Sequence, residues 1–167
     1  GFVFQAFHVL PHLDVALNVA LPLLLLQRRD DARVQAMLDA VGLQGLGLSD
    51  RAYQNALRYA RERLQMRSLS GPKLPSKPAD PIIVHPDVRR MLLTCKALIE
   101  GGRVLGYHAA SLVDIAAHSN DAGEREQAEA LLGFVTPIVK ACLTEWGVEC
   151  TYHALQCFGG HGYIAEH

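Results

Sequence analysis

The sequence predicts an all-α fold, a bundle of four helices. Three observations carry this. Apolar residues recur at three- and four-residue steps over long stretches. No stretch alternates with the two-residue period of a strand. The glycine and proline clusters fall between the periodic segments, where connections belong. Half of the chain is hydrophobic and a fifth is charged, a composition that folds rather than staying disordered. At 167 residues the chain is long enough for one domain with its own core.

Residues 1 to 39 are apolar but poorly patterned, because Pro11, Pro22 and two histidines interrupt any regular period. A short helix is expected over Leu13 to Gln27. Val34 to Met66 reads as one long amphipathic helix, with Met37, Val41, Leu48, Tyr53, Ala56, Leu57, Ala60 and Leu64 on its stripe. Arg51, Arg58, Arg61 and Arg67 lie largely off that stripe. Gly42, Gly45 and Gly47 stand at the start of the stretch. Each costs about 1 kcal/mol against alanine inside a helix, so they predict a close neighbour there, a helix or a ligand.

Ser68 to Asp80 (SLSGPKLPSKPAD) must be a loop, and a long one, of the kind that is often functional. A second long helix is expected from Pro86 to Ala117, with Pro86 in its first turn. Its stripe runs through Val88, Met91, Leu92, Leu98, Val104, Leu105, Leu112 and Ile115. A third helix is expected from Glu124 to Gly147, through Ala128, Leu131, Leu132, Val135, Ile138, Val139, Cys142 and Leu143. Pro137 predicts a kink in it and Gly147 a stop. A shorter fourth helix covers Glu149 to Phe158, followed by GGHGYIAEH.

Charge and cysteine usage exclude several functions. The formal net charge is −1, without the basic excess of a nucleic-acid binder. Cys95, Cys142, Cys150 and Cys157 form no C-x-x-C pair and no zinc set, and read as reduced, mostly buried thiols of a cytoplasmic protein. His108, His118, His153 and His161 form no metal set with carboxylates. The apolar run Val15 to Leu26 is shorter than the roughly 20 residues of a spanning helix, so no membrane span is expected. Trp146 and Tyr152 are expected in the core or at an interface.

Gly159-Gly160-His161-Gly162 follows a helix instead of opening one after a strand, so it is no dinucleotide fingerprint. Read locally, it is a helix C-cap. It also offers bare backbone that an anion such as a pyrophosphate can approach closely.

Leu155 to His167 (LQCFGGHGYIAEH) resembles the glutamine-then-GGxGY segment of acyl-CoA dehydrogenases. Tyr59 to Gln65 (YARERLQ) and Val41 to Ala56 (VGLQGLGLSDRAYQNA) resemble the first helix of that family's C-terminal domain. Arg67 to Leu92 (RSLSGPKLPSKPADPIIVHPDVRRML) resembles the insert of a larger bacterial subgroup, the 3-methylmercaptopropionyl-CoA dehydrogenase-like enzymes. The resemblance divides the chain into residues 1–39, which are not family-like, and 40–167, a helical bundle domain.

The resemblance implies an all-α C-terminal domain within a larger flavoenzyme. FAD would lie between domains and at a subunit interface of a homo-oligomer, and an acyl-CoA thioester would be oxidised between its α and β carbons. Arg63, of the Glu62-Arg63 pair, would meet the FAD diphosphate, for which its planar fork is suited. Gln156, Gly159 and Gly160 would contact the nucleotide part of FAD from the neighbouring subunit.

Three departures from the family pattern stand out. Met66 occupies a position where the family usually has glycine. Leu38 stands where an arginine would meet the CoA part of the substrate, with Asp39 out of step. The base, a glutamate that removes the α-proton, is expected beyond His167, and Glu166 is not assigned that role. Residues 1–39 also raise the expectation of a reading-frame shift in the gene. A second function remains open beside the enzymatic one: a helical oligomerisation module without catalysis, from a degenerate or truncated paralogue.

Overall fold

The computed structural model describes residues 43–164. The expected helix over Leu13 to Gln27, the segment 1–39 with Leu38 and Asp39, Gly42 and Glu166 lie outside the described residues. Three α-helices build the fold: α1 (Leu43–Glu62), α2 (Pro86–His118) and α3 (Ala122–Phe158). Single 3-10 turns occupy Ile82–Val84 and Gly159–Tyr163. Among the described residues there is no strand, and one isolated antiparallel bridge joins Leu64 to Pro81.

Local chemistry fixes most helix ends. Pro86 opens α2, where its missing N–H is not needed. The three residues 119–121 join α2 to α3, and Asp121 caps α3 by accepting from the backbone N–H of Gly123 at 2.7 Å. So short a connection forces α2 and α3 antiparallel. The register agrees: the Cys95 thiol reaches the Cys150 carbonyl, and Leu143 packs at Gly102. α1 runs antiparallel to α2 and parallel to α3. Leu43 meets Gly106 and Leu46 meets Gly102, while Gly45 lies against Leu143 and Tyr59 against Phe158.

Two expectations about helix length are corrected. The third and fourth expected helices are one 37-residue helix, α3. Gly147 does not end it, because this glycine serves the approach of another helix instead of a turn. A Cβ at Gly147 would stand 3.4 Å from the carbonyl oxygen of Gly45, and one at Gly45 would stand 2.8 Å from that of Leu143. α1 and α3 therefore cross backbone against backbone, and the close neighbour foreshadowed by Gly45 is a helix. α3 also runs through Pro137, where the carbonyl that loses its N–H partner belongs to Gly133, an exposed residue. The second correction is that α1 stops at Glu62, short of Met66, because the next residues pair with the chain at 80–82.

The buried faces also differ from the expected stripes. Leu48, Val104, Ile115, Leu131 and Ile138 are exposed, while Gly102, Gly106, Gly147 and Ala109 are buried. Close helix approach buries small residues, and the larger ones beside them turn outward. The core falls into two clusters. Leu43, Leu46, Cys95, Ile99, Val139 and Leu143 fill one, with Trp146 packed against it. Ala56, Ala60, Ile82, Met91, Leu92 and Cys157 fill the other. Cys95, Cys150 and Cys157 are buried free thiols and Cys142 is half-buried. Burial pushes Cys95 up to about 12 and Cys157 to about 11, so neither supplies a thiolate at neutral pH.

α3 is long and apolar enough, by length and composition, to cross a membrane. In this fold one side of it packs on α1 and α2, while Leu131, Phe134, Ile138, Val148 and Tyr152 line exposed positions.

The α1–α3 crossing makes a direct prediction. Gly45→Ala should destabilise the fold by about 1–3 kcal/mol, because backbone cannot yield as a flexible side chain would. Gly101→Ala, where a Cβ meets nothing within 4 Å, should instead be neutral or stabilising. Urea denaturation of both variants checks this, and equal effects would contradict the crossing.

Candidate functional site

The parallel run of α1 and α3 brings their C-terminal ends together. Tyr59, in the last turn of α1, stacks tilted on Phe158 with ring centroids 4.6 Å apart. Its hydroxyl meets Nδ1 of His161 at 3.3 Å. Arg63 follows one turn later, its N–H donating to the Tyr59 carbonyl at 2.8 Å. The four residues singled out from sequence, Arg63, Gln156, Gly159 and Gly160, thus lie at one end of the bundle. No hydrogen bond joins Arg63 to the other three.

Each has a definite local setting. Gln156, on the last turn of α3, donates from Nε2 to the Tyr163 hydroxyl at 2.6 Å. Gly159 caps α3 at φ 57° and ψ −134°, a conformation open to glycine. Gly160 follows. Both are exposed, and no heavy atom lies within 4 Å of where their Cβ atoms would stand. Gly162 differs, since a Cβ there would meet the Leu155 carbonyl oxygen at 2.8 Å. It lets the 3-10 turn fold back on α3. Arg63 is exposed, and its guanidinium pairs with no carboxylate among the described residues. An exposed guanidinium and a stretch of bare backbone fit an anionic group such as a diphosphate. Nearby on α1, Gln54, Leu57, Arg58, Arg61 and Glu62 line a recess of about 320 Å³.

The chain that follows Arg63 is ordered by one carboxylate. Asp80 is fully buried and accepts from the N–H groups of Ser68 (3.0 Å), Lys73 (2.9 Å) and Leu74 (2.7 Å). Nη1 of Arg67 reaches it at 3.2 Å and also donates to the Leu74 carbonyl, while Nη2 donates to that of Lys77. The long loop is therefore wound around Asp80. Its backbone then pairs with the segment after α1. Gln65 N–H donates to the Asp80 carbonyl, Asp80 N–H to that of Met66, and Ile82 N–H to that of Arg63, each at 2.9 Å. Nε2 of His85 donates to the Gln65 carbonyl.

Met66 sits at φ 60°, the one non-glycine residue with positive φ among the described residues. The position where glycine was expected does adopt a glycine conformation. Methionine occupies it at a cost of about 1–2 kcal/mol, held by the pairing on either side. Tyr59, His161, Gly162 and Asp80 were not singled out as site residues from sequence. The first three lay within segments that were. Nothing in the spacing marks Asp80, since a buried acid and a solvated loop acid read alike.

Burial alone would raise the Asp80 carboxyl, but the Ser68, Leu74 and Lys73 amides and the Arg67 guanidinium outweigh it and hold the group at about 2, against an ordinary 3.8. A carboxyl lowered in the folded state contributes stability that is whole above its unfolded value and is lost as pH falls through its folded one. Asp80→Asn should therefore lower stability at neutral pH and flatten the acid dependence between about pH 4 and pH 2. Urea midpoints across that range measure it, and an unchanged acid limb would contradict the assignment. Met66→Gly should stabilise by about 0.5–1 kcal/mol while Met66→Ala does not, since alanine keeps the strain. Thermal unfolding separates the two variants.

Comparisons with known proteins agree with this architecture. The family described as acyl-CoA dehydrogenase, C-terminal domain, matches residues 39–167. The chain is 45% identical over 127 residues to 3-methylmercaptopropionyl-CoA dehydrogenase of Ruegeria pomeroyi, covering 76% of this chain and 21% of that protein. It is 35% identical over 126 residues to a butyryl-CoA dehydrogenase of Syntrophomonas wolfei, covering 75% and 20%. It is 33% identical over 131 residues to a broad-specificity linear acyl-CoA dehydrogenase of Mycobacterium tuberculosis, covering 76% and 21%. The chain spans about a fifth of the length of these relatives. With the family matched over most of its length, the chain belongs to the acyl-CoA dehydrogenases, as their all-α C-terminal domain.

Proposed function

We propose that this chain is the cofactor-contacting helical part of an FAD-dependent acyl-CoA dehydrogenase that oxidises an acyl-CoA thioester between its α and β carbons. The observation that carries the reading is the end of the bundle where Arg63 and the Gly159–Gly160 backbone stand open together. There Arg63 holds the FAD diphosphate, and Gln156, Gly159 and Gly160 lie against its nucleotide half across a subunit interface. FAD supplies the acceptor for the two electrons that leave the acyl chain. The residues of this chain bind and orient it. We assign the base to no residue of this chain. The buried free thiols and the bacterial relatives support a cytoplasmic setting.

Association into a homo-oligomer belongs to the same reading. The apolar positions left open on α3 support it, Phe134 at 69% and Val148 at 66% exposed. This observation also favours the second reading, a helical module that oligomerises without catalysis.

Flavin separates the two. The full-length protein that carries this chain should purify yellow, with absorbance near about 450 nm. Arg63→Gln should weaken its hold on FAD by about 10- to 100-fold, the worth of one charge-assisted contact. Fluorescence of released FAD measures this. A colourless protein that takes up no added FAD would favour the non-catalytic module.

A further inference from the structure

The connection between α1 and α2 is longer than joining two antiparallel neighbours requires. Residues 63–85 make it, whereas residues 119–121 suffice between α2 and α3. Much of the added length builds the shell of donors around Asp80. A carboxylate is costly to bury unless its oxygens are satisfied, and here three amides and a guanidinium satisfy it. Three backbone bonds then carry that order to Arg63. They run from Asp80 N–H to the Met66 carbonyl, from Gln65 N–H to the Asp80 carbonyl and from Ile82 N–H to the Arg63 carbonyl, the last two together making the Leu64–Pro81 bridge. The backbone of Arg63 is held on both sides, by Tyr59 within α1 and by Ile82, which is itself buried in the core.

We propose that Asp80 and Arg67 are positioning residues for Arg63, fixing the backbone from which its guanidinium reaches the cofactor. This rests on the reading of Arg63 as the arginine that meets the FAD diphosphate. A planar fork binds a diphosphate within narrow limits of angle and distance, so its backbone must be preorganised for the bond to count. The loop does this from a distance, without touching the cofactor.

The test is a double-mutant cycle on FAD release in the full-length protein, followed by the fluorescence of freed FAD. Asp80→Asn should speed FAD loss by about 3- to 10-fold in the wild-type background and change little when Arg63→Gln is already present. Arg67→Met is the second variant. It removes the bonds to Asp80 and to the Leu74 and Lys77 carbonyls but leaves the three amide donors of Asp80 in place, and it should give the same pattern at smaller size. An equal effect of Asp80→Asn in both backgrounds would show a merely structural role and overturn the proposal. So would no effect of either loop variant beside a clear effect of Arg63→Gln. FAD binding that is indifferent to Arg63→Gln would instead overturn the underlying reading, and the positioning role with it.

Discussion

The backbone contact between α1 and α3 is the constraint on which the other features depend. Gly45 and Gly147 remove the side chains that would hold two helices apart, and the carbonyl oxygens of Leu143 and Gly45 stand where Cβ atoms would be. With the crossing fixed there, and α1 parallel to α3, the last turn of α1 reaches the last turn of α3. Tyr59 then stacks on Phe158 and meets His161, and the chain leaving α1 emerges beside the glycine turn that ends α3. Two segments far apart in sequence become one surface through helix packing. Larger residues at the crossing would push that surface apart without changing any residue in it.

In the loop 68–80, order comes from electrostatics rather than apolar burial. The loop after α1 has little apolar content to bury, and Leu69 is 93% exposed. It holds its shape because one buried carboxylate collects its amides. The same carboxylate's residue extends into backbone pairing that ends α1 and forces Met66 into a left-handed conformation. Strain at Met66 and stabilisation at Asp80 are two parts of one local arrangement. Charge and hydrogen bonds there set a backbone path that propensity would not choose.

Much of this was legible in the sequence, and the failures have physical causes. Pro86 and the proline-rich loop were read correctly because their local chemistry permits few alternatives. The resemblance of YARERLQ and LQCFGGHGYIAEH to acyl-CoA dehydrogenases placed the family. Gly147 was misread as a stop because glycine ends helices and also lets helices touch, and only the partner distinguishes the two. The expected stripes overcounted Val104, Ile115, Leu131 and Ile138 for a related reason. Where helices approach through small residues, the buried face is the small one. Asp80 was invisible because its importance lies in donors supplied by folding. Arg63, Gln156, Gly159 and Gly160 were drawn from resemblance, and the fold gathers them at one end without a bond between Arg63 and the rest.

The apolar positions on α3 and the end of the bundle at Arg63 are both exposed. A crystal structure of the full-length protein grown with FAD tests the central claim most directly. The account predicts the Arg63 guanidinium against the FAD diphosphate oxygens, with the Gly159–Gly160 backbone against the nucleotide half. FAD bound away from this end of the bundle, with Arg63 paired instead to a protein carboxylate, would contradict it.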